Sequence, residues 1–269
     1  MKDASNLPTC STGIEQMDSG TAPDTLARPP RLRAGGKDGM FLPVYDVTPF
    51  TLLDFPGKTA CIIWFSGCNM RCGYCHNPQI VRGKGTRSIE SIFGFLKRRA
   101  GLLDGVVLSG GEATLYTGIV DFADEIKRMG FSVKLDTNGS RPKVIQTLLA
   151  HGSLDYVALD YKSPLQATRR VTGVGCSGEI DTTLRLLMGQ SKAGFEIRTT
   201  VHTGILQEAD IAEIIRDLEK RGYGGKYYIQ NFISDDDRPT LGRLPPQPRP
   251  LDLRQLPRTD QFEILFRNF

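Results

Sequence analysis

The chain has 269 residues, 39% of them hydrophobic and 24% charged, with a formal net charge of +4. That length supports one sizeable core rather than two large domains, and the interleaving of basic with acidic residues excludes the dense cationic stripe of a nucleic-acid binder. No apolar run is long enough to cross a bilayer, so no membrane association is expected.

The N-terminal stretch "MKDASNLPTCSTGIEQ" lacks the charged-then-apolar order of a signal peptide, which predicts a cytoplasmic protein. In that reducing compartment the six cysteines are not expected to form a disulfide framework. Residues 1–40 are rich in Ser, Thr, Pro, Gly and charge without apolar periodicity, and are expected to form a flexible leader.

From 41 to 233 short β-branched runs alternate with amphipathic ones. "ACIIWFSG" (60–67) predicts a buried strand, and Ser88 is placed to cap a helix whose Ile89, Ile92, Phe93 and Leu96 share a face. "GVVLSG" (105–110) precedes a helix carrying Ile119, Phe122, Ala123 and Ile126. "FSVKLDTNG" (131–139) precedes one with Pro142 near its start and Gly152 past its end. "YVALDYK" (156–162) leads to a run through Leu184, Leu187 and Met188, and "FEIRTTV" (195–201) to one through Ile211, Ile214, Ile215 and Leu218. "KYYIQNF" (226–232) closes the series. Six strands separated by five helices imply right-handed crossovers and a parallel sheet, either doubly wound and open or an incomplete barrel. Residues 234–269 read as a proline-rich tail, with "FEILF" near the end able to dock as a short apolar element.

In either architecture the functional groups gather at the C-terminal ends of the strands. Those ends carry Cys68, Cys72 and Cys75; then Ser109, Gly110, Gly111 and Glu112; then Asp136, Thr137, Asn138 and Gly139. Asp160 and Lys162 follow, then Arg198 and Thr200, and finally Gln230. Chance would scatter such groups over both ends of the strands, so their concentration at one end predicts a site.

"GCNMRCGYCHN" (67–77) holds three closely spaced thiols and no fourth. An iron–sulfur cube takes four cysteines, so three leave one iron open to a small molecule. The competing metal reading is a structural zinc closed by His76, but paired Cys-x-x-Cys knuckles are its usual signature and only one such pair occurs. Three unrelated buried cysteines are weaker still, since a glycine-bearing loop after a strand is a poor place for core filler. Cys10, Cys61 and Cys176 need no special role.

The Cys-x₃-Cys-x-aromatic-Cys arrangement of "CNMRCGYC", with Tyr74 as the aromatic, resembles the radical S-adenosylmethionine (SAM) superfamily. Within it, "DFPG", "CHNP", "GVVLSGGEATL", "VKLDTNGS", "LDYVALDYKSP" and "EIRTTV" resemble the activating proteins of anaerobic ribonucleoside-triphosphate reductase, related to pyruvate formate-lyase activating enzymes. Ala113 stands where that family usually has a proline. The resemblance implies a partial (β/α)6 barrel with parallel strands, a [4Fe-4S] cluster on Cys68, Cys72 and Cys75, and SAM on the open iron. It further implies that Tyr74, Gly110, Gly111, Glu112, Asn138, Lys162 and Arg198 contact the cofactor, with Glu112 holding its ammonium group. Asp136, Thr137 and Asp160 resemble positions that bind a monovalent cation beside SAM.

The implied reaction is reductive cleavage of SAM to methionine and a 5′-deoxyadenosyl radical, which takes a hydrogen from a glycine of the reductase. With no second cysteine cluster in the sequence, a flavodoxin or ferredoxin is the expected electron donor. A radical SAM enzyme acting on a small molecule would share these cofactor residues. A non-enzymatic iron–sulfur or zinc protein would not require the "GGE" and "DTNG" strand ends.

Overall fold

The computed structural model describes residues 42–234 and 239–269; the leader expected at 1–40 lies outside them. Its elements run β1 (Val44–Thr51), β2 (Ala60–Phe65), α1 (Pro78–Arg82), α2 (Ile89–Lys97), β3 (Gly105–Gly110), α3 (Ile119–Arg128), β4 (Ser132–Thr137) and α4 (Pro142–His151). They continue as β5 (Tyr156–Asp160), α5 (Thr168–Thr172), α6 (Ser177–Met188), β6 (Gly194–Val201), α7 (Glu208–Lys220), β7 (Lys226–Asn231) and β8 (Glu263–Arg267).

All eight strands join one sheet in chain order, and β2 to β7 pair in parallel. A doubly wound sheet reverses its order at a switch point. A strictly sequential order winds one way only, so the six central strands form an open arc of (β/α) units, with β1 and β8 at its edges.

The helices form where the apolar spacing predicts them. Ser88 caps α2 by accepting the Ser91 N–H, and Gly152 ends α4 in the left-handed region at φ 71°. Ile119, Phe122, Ala123 and Ile126 of α3 are buried against the outer face of the sheet, as are Ile211, Ile214, Ile215 and Leu218 of α7. Each large side chain so buried contributes about 1.5–3 kcal/mol.

Strand alternation then sorts the remaining residues. Val133, Leu135, Val157, Leu159 and Ile197 join the core with the helices. Their neighbours Lys134, Asp136, Asp160, Glu196 and Arg198 take the other face, where they pair with one another. At β2 and β3 the second face is apolar instead: Ile62 and Val107 pack with Phe55 of "DFPG" in a small separate cluster.

Two edge strands extend the six expected. β1 pairs antiparallel to β2, with register breaks on either side of its central residues. Its burial pattern is mostly intermediate and exposed, as suits an edge, and Pro49 within it obscured the strand in the sequence. β8 pairs parallel to β7, with Tyr228 opposite Leu265. The division expected at 234 is therefore corrected: "FEILF" supplies a strand of the same sheet, and the stretch before it packs on the body through the buried Thr240, Leu251 and Phe262. Proline there marks irregular backbone rather than a separate tail. No helix among the described residues is long and apolar enough to cross a membrane.

Candidate functional site

A cavity of about 210 Å³ opens at the C-terminal ends of the strands. Cys68, Cys72, Tyr74 and Cys75 from the loop after β2 form one wall, and Ser109, Gly110 and Gly111 from the end of β3 form the next. Asp136, Thr137 and Asn138 follow from β4, Asp160 and Lys162 from β5, and Arg198 and Thr200 from β6. The residues that the resemblance implies as cluster, SAM or cation contacts thus line one space, Glu112 excepted; of the other strand-end residues Ser109 and Thr200 join them, and Gly139 and Gln230 do not.

The cysteine loop is held from several sides. Gly67 N–H donates to the Ile80 carbonyl of α1, and the Gly67 carbonyl accepts from Glu112 N–H at 2.9 Å. Arg71 N–H donates to the Thr172 carbonyl of α5, while its guanidinium reaches the Cys68 and Met70 carbonyls. Cys68 Sγ lies 3.4 Å from Met70 N–H and 3.9 Å from Asn138 Nδ2. The Asn138 amide also donates to Asn69 Oδ1, and Asn69 donates to Ser140 Oγ, tying the loop to the β4 end. Asn69, Arg71 and Ser140 were not singled out in the sequence, because loop side chains that bond backbone leave no periodic trace.

The glycines earn their place by proximity. A Cβ on Gly111 would lie 1.9 Å from the Gly67 carbonyl oxygen, and one on Gly110, at φ 120°, would lie 2.3 Å from that of Phe65. The β3 turn and the cysteine loop therefore meet backbone to backbone. A side chain at Gly111 would push on Gly67 and Cys68, and one at Gly110 on the end of β2.

The Glu112 carboxylate is engaged within the protein. It is 2% exposed and lies behind the cavity wall. Its Oε1 accepts from Thr114 N–H, Thr114 Oγ1 and Thr137 Oγ1, and its Oε2 accepts from Asn138 N–H at 2.7 Å. Burial raises its carboxyl pKa, and the donors from Asn138, Thr114 and Thr137 work against that rise. Here it braces β3 against the β4 end. Glu112→Ala strands these buried donors and is expected to destabilise the metal-free protein by about 3 kcal/mol or more, read from urea unfolding. An unchanged midpoint would show that the brace is dispensable.

A chain of charge crosses the cavity floor. Arg198 bonds Asp160 through Nε at 3.0 Å and stands 3.7 Å from Asp136. Lys134, only 1% exposed, reaches Asp136 at 2.5 Å, and Lys162 reaches Asp160 at 3.3 Å. Glu196 stands 4.0 Å from Arg198 and accepts from the Tyr156 hydroxyl. Burial alone would raise the Asp136 and Asp160 carboxyls, but the Arg198 charge, with Lys134 at one and Lys162 at the other, holds both below the usual range. Among the described residues no three His, Cys, Asp or Glu side chains converge as a group that could hold a single metal ion. In this structure Arg198, Lys134 and Lys162 pair with Asp136 and Asp160, the carboxylates of the expected cation site.

Because both carboxyls are depressed, the stability they add is complete above their ordinary pKa of 3.8 and is lost as pH falls through their lower folded values. Urea midpoints of the metal-free protein should hold from neutral pH to about 4 and drop below it. Loss beginning near pH 6 would contradict this pairing.

The residues suit the cluster and cofactor that the motif implies. The Tyr74 hydroxyl, buried in the cavity wall, has no hydrogen-bond partner among the described residues. The three thiols share that wall, and Cys61 and Cys176 are buried elsewhere. His76 stacks on Phe232 with ring centroids 4.7 Å apart.

A barrel-like arc of β/α units with three cysteines on the loop after β2 is an architecture suited to an iron–sulfur cluster. The radical SAM superfamily model matches residues 62–223, more than half of the chain, and the protein belongs to that superfamily. It is 31% identical over 219 residues to a Methanocaldococcus jannaschii protein named "Putative glycyl-radical enzyme activating enzyme", covering 79% of this chain and 89% of that one. It is also 31% identical over 126 residues to the pyruvate formate-lyase-activating enzyme of Clostridium pasteurianum, covering 44% of this chain but only 52% of that protein. The fold is similar to SuiB of Streptococcus suis in complex with the precursor peptide SuiA, with a TM-score of 0.53 at 15% identity over 64% of this chain and 39% of the other. Membership implies a [4Fe-4S] cluster and SAM as cofactors.

Proposed function

We propose that this protein is a glycyl-radical enzyme activating enzyme whose partner is an anaerobic ribonucleoside-triphosphate reductase. The observation that carries the reading is the meeting of Cys68, Cys72 and Cys75 with the Gly110–Gly111 backbone in one cavity. The match to the Methanocaldococcus protein over most of both chains supports the activase branch.

Cys68, Cys72 and Cys75 would hold three irons of a [4Fe-4S] cluster and leave the fourth for the amine and carboxylate of SAM. When bound, the cluster and SAM supply reductive cleavage of the sulfonium, yielding methionine and a 5′-deoxyadenosyl radical. Gly110 and Gly111 offer backbone to the methionine moiety. Lys162 and Arg198 bring positive charge to the cavity floor, where a carboxylate is favoured. Tyr74, Thr137 and Asn138 shape the wall. The open edge of the arc leaves lateral room for a polypeptide loop, and a glycine α-carbon in that loop is the proposed hydrogen donor. A reduced flavodoxin or ferredoxin is the proposed source of the electron.

The test mixes the reconstituted protein, SAM and a reductant with the reductase under anaerobic conditions. The expected result is a glycyl-radical doublet by electron paramagnetic resonance, with deuterium from the glycine α-carbon recovered in 5′-deoxyadenosine. Absence of the doublet, with a small metabolite driving rapid deoxyadenosine formation, would replace this reading with a small-molecule enzyme.

A further inference from the structure

The third cysteine and the glycine after the second are gripped from outside by a part of the chain that carries no cofactor motif. Leu241 N–H donates to the Cys75 carbonyl and Gly242 N–H to the Gly73 carbonyl, each at 2.9 Å. The two backbones touch: a Cβ on Gly242 would sit 2.8 Å from the Gly73 Cα. On the other side of Gly73, the Leu244 and Ile205 methyl groups lie 3.6–3.8 Å from where its own Cβ would be. Glycine at 242 is what permits this approach, whereas a Cβ on Gly73 would meet only ordinary contacts.

The gripping segment is itself a fixed turn. Arg243 N–H donates to the Thr240 carbonyl and Leu244 N–H to Thr240 Oγ1, and Thr240 is 6% exposed. Arg243 sits at φ 48°, a conformation that a non-glycine residue holds only when its surroundings enforce it. Beyond the turn the chain is pinned to the end of β6. The His202 ring takes Gly204 N–H at Nδ1 and so offers Nε2–H to the Pro245 carbonyl at 3.1 Å. Gln247 bridges Thr203 N–H and Asn231 Oδ1, and Arg249 grips Glu208 through both guanidinium nitrogens.

We propose that residues 240–244 are a latch that sets the Cys72–Cys75 segment in ligating geometry before metal arrives and slows metal loss afterwards. Thr240, Gly242 and the anchor Arg249 are its positioning residues. Cysteine loops rich in glycine lose much backbone freedom on ordering, and two backbone hydrogen bonds from outside the loop restrict that freedom in advance. The proposal rests on the three cysteines being the metal ligands, and its test separates the two ideas.

The metal-free, full-length protein is treated with a maleimide, and labelling of each cysteine is followed by peptide mass. Gly242→Val should raise the labelling rates of Cys72 and Cys75 about tenfold, as expected for losing two hydrogen bonds, and Arg249→Ala should raise them by a smaller factor. Cys61 and Cys176, outside the latch, should keep their rates, which reports an intact fold. Iron loss from the reconstituted protein to a chelator should accelerate in the same order. If labelling of Cys72 and Cys75 is unchanged in both variants, the latch is wrong. If Gly242→Val exposes all cysteines alike it has unfolded, and the Arg249→Ala rates alone then decide. A wild-type protein that binds no iron would overturn the cysteine reading, while the labelling rates would still judge the latch.

Discussion

Alanine at any one of Cys68, Cys72 or Cys75 is expected to abolish iron binding, against about four irons per chain in the wild type after anaerobic reconstitution. Each thiolate is the sole protein ligand proposed for one iron, so no neighbour can substitute. Cys61 lies in β2 and is fully buried, and Cys176 sits just before α6 without a side-chain capping bond, both away from the cavity wall. Alanine at either should leave iron content unchanged. Two of the thiols, Cys72 and Cys68, are not free anions waiting for metal: burial pushes Cys72 up to about 11, with the Lys162 charge pulling against it, and burial raises Cys68 as well. Ligation therefore displaces protons, and iron loading should release them in proportion to the sites filled. Stoichiometric zinc that resists replacement by iron would defeat the cluster reading. Iron retained by any of the three variants would identify that cysteine as a non-ligand.

Much of this architecture was legible because it is periodic. The α3 positions Ile119, Phe122, Ala123 and Ile126 fall on one helical stripe, and all four are buried as that stripe requires. The strand ends were legible for the same reason, since βα alternation fixes which end of "VKLDT" or "VALD" meets the loops. Three things escaped. β1 and β8 are edges, where half-exposed residues blur the alternation and Pro49 interrupts it. Glu112 carries the right motif, yet its environment is set by Thr114, Thr137 and Asn138 converging on it, and convergence of distant segments has no local signal. The latch joins Gly73 to Gly242 across the chain through backbone atoms, which are the same for every sequence. Lys134 could have been found: two residues before Asp136 on a strand, it must share that face, and a lysine buried beside an aspartate announces an ion pair.

Arg198→Leu is expected to cost about 3–5 kcal/mol of stability in the metal-free protein, a large part of the roughly 5–15 kcal/mol that holds a typical domain. The guanidinium is the shared partner of Asp160 and Asp136, with Glu196 also within 4.0 Å, so its loss leaves buried carboxylates facing one another with Lys134 and Lys162 only at the ends of the row. Arg198→Lys keeps the charge but cannot present the planar fork to two carboxylates, and should fall between wild type and the leucine variant. The comparison that isolates the network is a double variant: Asp160→Asn in the Arg198→Leu background removes one of the stranded charges. It should recover part of the loss, whereas Asp160→Asn alone, which leaves Arg198 and Lys162 short of their carboxylate, should be destabilising. Urea midpoints of the four proteins provide the cycle. Additive effects would show that Arg198 and Asp160 act independently, leaving the arginine to be judged by SAM affinity alone. Coupling would mean that the cavity floor is set by charge pairing within the protein, so that the positive charge proposed to meet a cofactor carboxylate is fixed in place before the cofactor enters.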